Sequence, residues 1–315
     1  MLRIEDVPKP VPGDNEILVR VHAASVIAGD CEFRRFDFPA WFWLPLRVYA
    51  GILRPKRVKI LGQELSGVVE EAGGRAARFE KGDAIFAATE VSMGAYAEYI
   101  CLDADKAIAF KHDDVSFERA AVIPTGGLNA LHYLRLAKVV AGEKILINGA
   151  CGNIGSYAVQ LAKHYGAIVT AVDSADKLET LRTLGADRVI DFRQQDFTRS
   201  AESYDVILDV VGKAPFSRSV SSLNSGGRFV IANPRISTML RGVLVTRTTD
   251  KKVLFRFAAY ESEDLKFLGS LVHNGKLTPL IDRQYPLEQI VQAHRYVDSG
   301  RIQGNVAIRV ADQSE

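Results

Sequence analysis

A glycine-rich segment, GACGNIG at residues 149–155, separates a strand-like run from a helix-like run. The preceding run, KILIN at 144–148, is short and apolar, as expected of a buried strand. In the following run, Ala158, Leu161 and Ala162 fall on one helical face. Glycine at such a junction lets the backbone turn tightly and approach a ligand, while the helix start offers N–H groups and a positive dipole end to phosphates. The context therefore predicts a loop that binds the pyrophosphate of a dinucleotide.

An acidic residue follows the next predicted strand. That strand covers 168–172, and Asp173 lies eighteen residues after Gly155. A carboxylate at this place can accept hydrogen bonds from the ribose hydroxyl groups of a dinucleotide. Tight turns use glycine in any case, so the glycines alone leave a purely structural turn open. The strand, the loop, the helix and Asp173 together favour cofactor binding.

The rest of the chain shows two patterns. Up to about residue 112, short strand-like runs are separated by Gly and Asp turns, and the run at 16–23 alternates apolar and polar side chains. From Phe117 onward, apolar strands alternate with amphipathic helices, which indicates a parallel sheet covered on both faces. The segment 305–310 is strand-like again, and we expect it to rejoin the N-terminal β unit.

Composition argues against several classes of protein. The net charge is +2, with 40 basic and 38 acidic residues well mixed, so no basic arm indicates a nucleic-acid partner. The cysteines, Cys31, Cys101 and Cys151, are too few and too scattered for a disulfide framework, which favours a reducing, cytoplasmic location. The N-terminus has no signal-peptide pattern.

The most apolar segment, 36–53, leaves two interpretations open. Asp37, Arg47 and two prolines interrupt it, so we do not expect a membrane-spanning helix. We favour a lobe packed on the core or over a pocket. The alternative is a patch that lies on a membrane surface.

Over nearly its whole length, the chain resembles the medium-chain dehydrogenase/reductase superfamily, and most of all its zinc-free quinone oxidoreductase and enone reductase branch. The resemblance is carried by INGACGNIGSYAVQLAKHYGAIVTAVDS around the loop, by ILGQELSGVVEEAG before it and by GKLTPLIDRQYPLEQIVQAHRYVDSG after it. It implies an α/β fold, with a Rossmann doubly wound parallel sheet domain over 113–262. A GroES-like, mostly β substrate domain is then built from 1–112 and 263–315. Family habit implies a homodimer. The chain begins about one strand later than the family pattern, which leaves open whether its N-terminus is complete.

The resemblance also implies a nicotinamide cofactor and its contacts. The expected cofactor-binding residues are Gly149, Ala150, Cys151, Gly152, Asn153, Ile154 and Gly155 in the loop, with Thr125, Asn129, Val211, Gly212, Ala232, Asn233 and Asn305 by position in the family. Ser174 and Lys177 match places where NADPH-using relatives bind the 2′-phosphate, whereas Asp173 suits NADH. NADP(H) and NAD(H) therefore stay as alternatives, and we expect that both can be used.

The same resemblance implies that zinc is not used. Zinc-dependent members hold their catalytic metal with a Cys, a His in a Gly-His-Glu motif and a later Cys. The corresponding places here hold Ile27, Gln63 and the apolar stretch around Ile123, none of which offers a Cys or His ligand. Without a Lewis acid to polarise an alcohol, an alcohol or aldehyde oxidoreductase is the less favoured alternative.

The chemistry that remains is hydride transfer to an acceptor that is already electron-poor, either a quinone or the β-carbon of an α,β-unsaturated carbonyl. Tyr49 and Tyr96 are candidate proton donors, because a phenol can donate a proton or a hydrogen bond. Ile27 stands where quinone reductases commonly carry Asn, and Asn129 where Thr is common. These departures keep open a second function, a dinucleotide-binding protein with little turnover and a structural or regulatory role.

Overall fold

A computed structural model of the chain describes residues 2–38, 40–50 and 58–310. These residues form two compact units. Unit 1 consists of Met1–Thr125, Tyr260–Gly275 and Pro279–Glu315, and unit 2 consists of Gly126–Ala259 and Lys276–Thr278. The domain boundaries predicted from the sequence, after residues 112 and 262, stay a prediction.

The secondary-structure elements are numbered in chain order. The strands are β1 Glu16–Val26, β2 Glu64–Ala72, β3 Ala84–Ala88, β4 Tyr99–Asp103, β5 Ile108–Phe110, β6 Lys144–Asn148, β7 Ile168–Asp173, β8 Arg188–Asp191, β9 Tyr204–Asp209, β10 Leu223–Ile231, β11 Lys252–Leu254, β12 Ile281–Pro286 and β13 Asn305–Arg309. The helices are α1 Ala28–Arg35, α2 Ala40–Ala50, α3 Phe117–Ala121, α4 Pro124–Ala137, α5 Asn153–His164, α6 Leu178–Thr183, α7 Phe216–Ser221, α8 Ile236–Thr248, α9 Ser262–His273 and α10 Ile290–Asp298.

Unit 1 is built on a mostly antiparallel sheet. Its strand order is β12-β13-β1-β2-β3-β5, and β4 also pairs with β1. The alternation in β1 buries Ile17, Val19 and Val21 completely on the core side. β13 pairs antiparallel with β1, Ala23 opposite Arg309, which confirms that the C-terminal strand rejoins the N-terminal β unit.

Unit 2 contains a wholly parallel sheet with the order β11-β10-β9-β6-β7-β8. Its strands are continuous apolar runs because helices cover both faces of such a sheet. Leu146, Ile207 and Phe229 from three neighbouring strands belong to one buried cluster. The Rossmann-type α/β fold expected from the alternation of strands and helices is confirmed.

The apolar segment at 36–53 contains α2, in which Pro45 lies inside the helix. Part of the segment packs as the lobe interpretation requires: Leu46 joins a cluster with Phe33, Val58 and Met93. Trp43, Leu44 and Val48 nevertheless stay exposed on the outer side. Among the described residues, the helices are too short or too polar to cross a bilayer.

Candidate functional site

The glycine loop lies between β6, at the centre of the unit 2 sheet, and α5. The strand order reverses here, because β7 and β8 lie on one side of β6 and β9 to β11 lie on the other. Open α/β sheets bind ligands at this switch point, beyond the carboxyl ends of the strands. The fold therefore places the loop where a dinucleotide-binding site is expected.

The glycines of the loop are required for different reasons. Gly149 has a φ of 81°, and a Cβ there would lie 2.4 Å from Cγ2 of Val211. A Cβ on Gly155 would lie 2.1 Å from the carbonyl oxygen of Gly149, a backbone atom that cannot easily move. At Gly152 the nearest protein atom to an added Cβ is 3.7 Å away, so packing does not require glycine there. The open side of Gly152 is what the close approach of a pyrophosphate requires.

Gly152 is also the N-cap residue of α5, and its helix start suits an anion. Gly152 has no side chain with which to cap the helix, and the first turn of α5 contains no acidic residue. The backbone N–H groups and the helix dipole therefore favour a phosphate at this end. Asn153 and Ile154 are half-buried at the start of the helix, whereas Ala150 and Cys151 are fully buried. Cys151 is a small packed residue of the loop.

Asp173, at the end of β7, contacts both the glycine loop and the side chain of Lys177. Its Oδ2 accepts a hydrogen bond from the backbone N–H of Cys151 over 2.9 Å, and its Oδ1 accepts one from the N–H of Ser174 over 2.9 Å. The Nζ of Lys177 lies 3.6 Å from Oδ1, and Asp173, Ser174 and Lys177 are each less than a tenth exposed. The predicted ribose-binding and phosphate-binding residues thus form one buried ion pair.

Asp209, at the end of β9, is a residue that sequence reasoning missed. It is 1% exposed, and its carboxylate accepts hydrogen bonds from the Asn148 side chain (2.9 Å) and from the N–H groups of Gly212 and Ala214 (both 3.0 Å). It therefore fixes the loop after β9 against the carboxyl end of β6. The available signal was an acidic residue closing the apolar strand YDVILD.

The other predicted contacts in unit 2 lie near this edge of the sheet or on α4. Gly212 has a φ of 71°, and a Cβ there would lie 3.0 Å from the carbonyl oxygen of Asn233, so the loops after β9 and β10 approach closely. A small open depression lies at these strand ends, with Gly212, Asn233 and Arg235 in its wall. Val211 and Asn233 are exposed, Ala232 is buried, and Asn129 is half-buried on α4.

In unit 1, Thr125 is held by a buried carboxylate. Its N–H, in the first turn of α4, donates to Oε2 of Glu64 over 2.6 Å, and the Ser25 hydroxyl donates to Oε1. Glu64 is completely buried, and this burial raises the pKa of its carboxyl to about 7. Glu64 was not predicted as a site residue.

The Tyr96 hydroxyl is bonded within unit 1. It lies 2.9 Å from Oδ2 of Asp30 and 3.0 Å from the carbonyl oxygen of Ser25, and its single proton can serve one of these acceptors at a time. Asp30 also accepts from the N–H of Ile27, yet burial raises the pKa of its carboxyl to about 6. Burial likewise raises the pKa of Tyr96 well above its usual value. This arrangement ties the hydroxyl to Asp30.

Two further residues of unit 1 were predicted from the sequence, Asn305 and Tyr49. Asn305 is completely buried in β13, where its side-chain amide donates to the carbonyl oxygen of Leu280 over 2.9 Å. Tyr49 belongs to α2, but its side chain lies outside the described part of the chain.

The places that correspond to zinc ligands in related dehydrogenases hold apolar or amide side chains. Ile27 and Ile123 are buried, and Gln63 hydrogen-bonds to Asp30 through its side chain. Within the described residues, no group of three or more His, Cys, Asp or Glu side chains could hold a metal ion.

Comparisons with known proteins agree with this architecture. Residues 13–112 match the alcohol dehydrogenase GroES-like domain, and residues 184–308 match the domain described as zinc-binding dehydrogenase. The 2-methylene-furan-3-one reductase of Solanum lycopersicum is 30% identical over 98% of this chain and 75% of its own. The quinone oxidoreductase of Homo sapiens is 28% identical over 94% of this chain and 89% of its own.

A solved structure shows the same likeness in three dimensions. The quinone oxidoreductase from Coxiella burnetii superposes with a TM-score of 0.87 at 30% identity, covering 98% of this chain and 95% of that one. Members of this family are oxidoreductases that bind a nicotinamide dinucleotide. From the fold, the glycine loop and these similarities, the chain belongs to the medium-chain dehydrogenase/reductase superfamily, in its quinone oxidoreductase and enone reductase-like branch.

Proposed function

We propose that the protein is an NAD(P)H-dependent, zinc-independent oxidoreductase that transfers hydride to a quinone or to an α,β-unsaturated carbonyl. The observation that carries the proposal is the glycine loop, where Gly155 is required by packing and Gly152 is not. A glycine at a position where the protein leaves space for a side chain supports the proposal that a ligand binds against that face. The names of the relatives from Solanum lycopersicum and Homo sapiens, an enone-type reductase and a quinone oxidoreductase, support the substrate classes.

The residues of unit 2 suit the two ends of the cofactor differently. The α5 N-terminus and Gly152 would hold the pyrophosphate, and Asp173 with Lys177 would face the adenosine ribose. The loops that carry Val211, Gly212, Ala232 and Asn233 would bind the part nearer to the nicotinamide. When bound, a reduced nicotinamide supplies the hydride, and the protein's task is to hold and orient it.

The buried ion pair supports the use of both NADPH and NADH. Asp173 alone would repel a 2′-phosphate, but Lys177 lies close enough to balance its charge. The ribose hydroxyls of NADH can bond to the carboxylate, and the phosphate of NADPH can draw Lys177 toward itself. We therefore propose dual use rather than strict choice.

The proposed reaction needs a hydride and a proton. The hydride goes to the quinone ring system or to the enone β-carbon, and a proton completes the hydroquinone or the saturated carbonyl. Tyr49 and Tyr96 remain the sequence candidates for proton donor. The bonds of Tyr96 to Asp30 and Ser25 weaken its candidacy, because a donor must reach the substrate.

Zinc independence is part of the proposal. It is supported by the hydrophobic and amide side chains at 27, 63 and 123 and by the lack of a three-ligand cluster among the described residues. The alternative is a metal-dependent alcohol or aldehyde oxidoreductase, for which the description of the domain matched at 184–308 is the supporting observation. Metal analysis of the purified protein separates the two, since the alternative requires stoichiometric zinc and activity that a chelator removes.

The experiment that tests the function is oxidation of NADPH and NADH by the purified protein with a panel of quinones, enones and alcohols. The proposal predicts turnover with quinones or enones, unaffected by chelator. Tight nucleotide binding without turnover on any acceptor would favour the second candidate, a dinucleotide-binding protein, which Ile27 in place of the common Asn supports. A homodimer and a cytoplasmic location remain predictions from the sequence.

A further inference from the structure

Helix α2 of unit 1 presents an apolar face on its outer side. Trp43, Leu44 and Val48 are 42%, 62% and 60% exposed. Leu44 and Val48 are four residues apart and Trp43 adjoins Leu44, so the three side chains share one side of the helix. Large apolar side chains at such spacing usually cover a core. Exposed in this way, they mark a surface that binds an apolar partner.

The inner side of α2 already packs on unit 1. Leu46, 5% exposed, joins Phe33, Val58 and Met93 in a buried cluster. The exposed side chains are not part of this cluster, so replacing them should leave the fold of unit 1 intact. The two interpretations of the segment 36–53 are therefore compatible, since one side of α2 packs on the core and the other side stays available.

Two described cations border the exposed face. The ring of Phe36 packs edge-on against Trp43, with 5.8 Å between the ring centroids, and the guanidinium of Arg47 lies 5.0 Å from the centroid of the same Phe36 ring. Arg47 follows Trp43 by four residues, so its cation lies on the same side of the helix as the apolar residues. Lys59 is exposed directly after Val58, which belongs to the cluster under α2.

The sequence around α2 offers little negative charge to offset these cations. Residues 38–63 contain five Arg or Lys residues and no Asp or Glu. The nearest acidic residues along the chain are Asp37, which is exposed, and Glu64, which is completely buried. Glu90, close in the chain to the cluster, pairs with Lys106 over 3.7 Å. An apolar face that contains tryptophan, in a cationic segment, complements an anionic bilayer, because indole rings favour the headgroup region and cations bind anionic lipid.

We propose that α2 lies on the surface of an anionic lipid bilayer, with Trp43, Leu44 and Val48 among the upper acyl chains and Arg47 and Lys59 at the headgroups. The helix has eleven residues and a length of about 16 Å, which suits the plane of the surface and is too short for a span. A second copy of this chain is the less favoured occupant, because the same face on both copies would bring their cations together without acidic partners. The inference is independent of the proposed reaction, since vesicle binding requires no turnover.

Tryptophan fluorescence of the whole protein tests the proposal directly, because both tryptophans of the chain, Trp41 and Trp43, belong to α2. Vesicles of phosphatidylcholine mixed with phosphatidylglycerol should shift the emission to shorter wavelength at low salt, and lipids brominated in their acyl chains should quench it. Vesicles of phosphatidylcholine alone should bind much more weakly. Leu44→Ser combined with Val48→Ser should weaken binding to the anionic vesicles at least about tenfold, measured by co-sedimentation.

The matched apolar control combines Val7→Ser with Val11→Ser. These residues of unit 1 are 57% and 83% exposed and lie outside α2. The control variant should bind anionic vesicles like the wild type, and circular dichroism should show every variant folded.

Charge reversal provides a second matched pair of variants. Arg47→Glu combined with Lys59→Glu should reduce binding to anionic vesicles to the level seen with phosphatidylcholine alone. Lys81→Glu combined with Lys138→Glu makes the same change of net charge at two exposed cations elsewhere in the chain and should reduce binding far less.

Three results would overturn the proposal. The first is a wild type that neither sediments with anionic vesicles nor changes its emission in their presence. The second is unchanged binding by the Leu44 and Val48 double variant, which assigns vesicle binding to another surface. The third is a wild-type dimer that this variant converts to a monomer, measured by light scattering, which assigns the face to a second copy.

Discussion

Replacing Glu64 by Gln should change how the stability of unit 1 depends on pH. In the folded protein the carboxyl has its pKa raised to about 7 by burial, from an ordinary value of 4.5. The folded state therefore prefers the neutral acid. The stability linked to Glu64 is complete below pH 4.5, is lost as the pH rises toward 7, and stays lost above that value.

The magnitude follows from the difference between the two pKa values. A difference of about 2.5 units at about 1.4 kcal/mol per unit gives a loss of about 3 kcal/mol between acidic and neutral pH. Gln is the neutral isostere: its oxygen can accept from the Thr125 N–H and its NH₂ can donate to the Ser25 hydroxyl. Glu64→Gln should thus match the wild type at low pH and exceed it by about 3 kcal/mol above pH 7.

Urea unfolding followed by tryptophan fluorescence provides the assay. The chain has two tryptophans, Trp41 and Trp43, and both belong to unit 1, so their signal reports on the unit that contains Glu64. Asp30 contributes a similar loss at lower pH, and because the two carboxylates repel each other, the difference between the proteins reports Glu64 together with its coupling to Asp30. Glu98→Gln, a change at an exposed residue, is the control and should show no such difference. Parallel pH curves for wild type and Glu64→Gln would refute the reasoning.

Three further predictions concern the glycine loop, Tyr96 and the cofactor. Gly155→Ala should weaken nucleotide binding and lower the melting temperature, because its Cβ meets the Gly149 carbonyl. Gly152→Ala should weaken binding at an unchanged melting temperature. A nucleotide titration and thermal melts measure both effects, and equal losses of melting temperature in the two variants would contradict the assignment. Tyr96→Phe should cost about 1–3 kcal/mol of stability in urea unfolding, since Asp30 loses a buried donor, and should leave kcat within about threefold; a loss of about a hundredfold in kcat would restore Tyr96 as proton donor. Lys177→Ala should raise the Kd for NADPH about tenfold more than that for NADH, because Asp173 then faces the 2′-phosphate unbalanced; equal changes in the two Kd values would show that the ion pair does not set the choice.

The sequence predicted the local βαβ unit well because its signals are short-range. The apolar strand, the glycines and Asp173 lie within thirty residues, and each has one physical reason to be there. The strand at 144–148 was predicted with the bounds that the structure has. Helix α5 begins at Asn153, ahead of the apolar residues Ala158, Leu161 and Ala162 that indicate it in the sequence.

Contacts between distant residues could not be predicted in this way. Glu64 and Thr125 are 61 residues apart, and only the folded β unit brings the carboxylate to the start of α4. The sequence did not predict that Asp173 and Lys177 pair with each other. Asp173 suits NADH and Lys177 suits NADPH, and two residues of opposite charge four positions apart can equally well form an ion pair. Helix α8 was not predicted, since its aliphatic residues face outward and its inner face carries Gly242 and Met239 in place of a regular apolar stripe.

The most direct test of the central claim is a fluorescence titration of the wild-type protein with NADPH and with NADH. The account predicts saturable binding of both nucleotides, with Kd values within about tenfold of each other because Lys177 balances Asp173. It also predicts that Gly152→Asp, which places a carboxylate at the proposed pyrophosphate site, abolishes binding of both. Failure of the wild type to bind either nucleotide, or unimpaired binding by Gly152→Asp, would contradict the assignment of the glycine loop as the cofactor site.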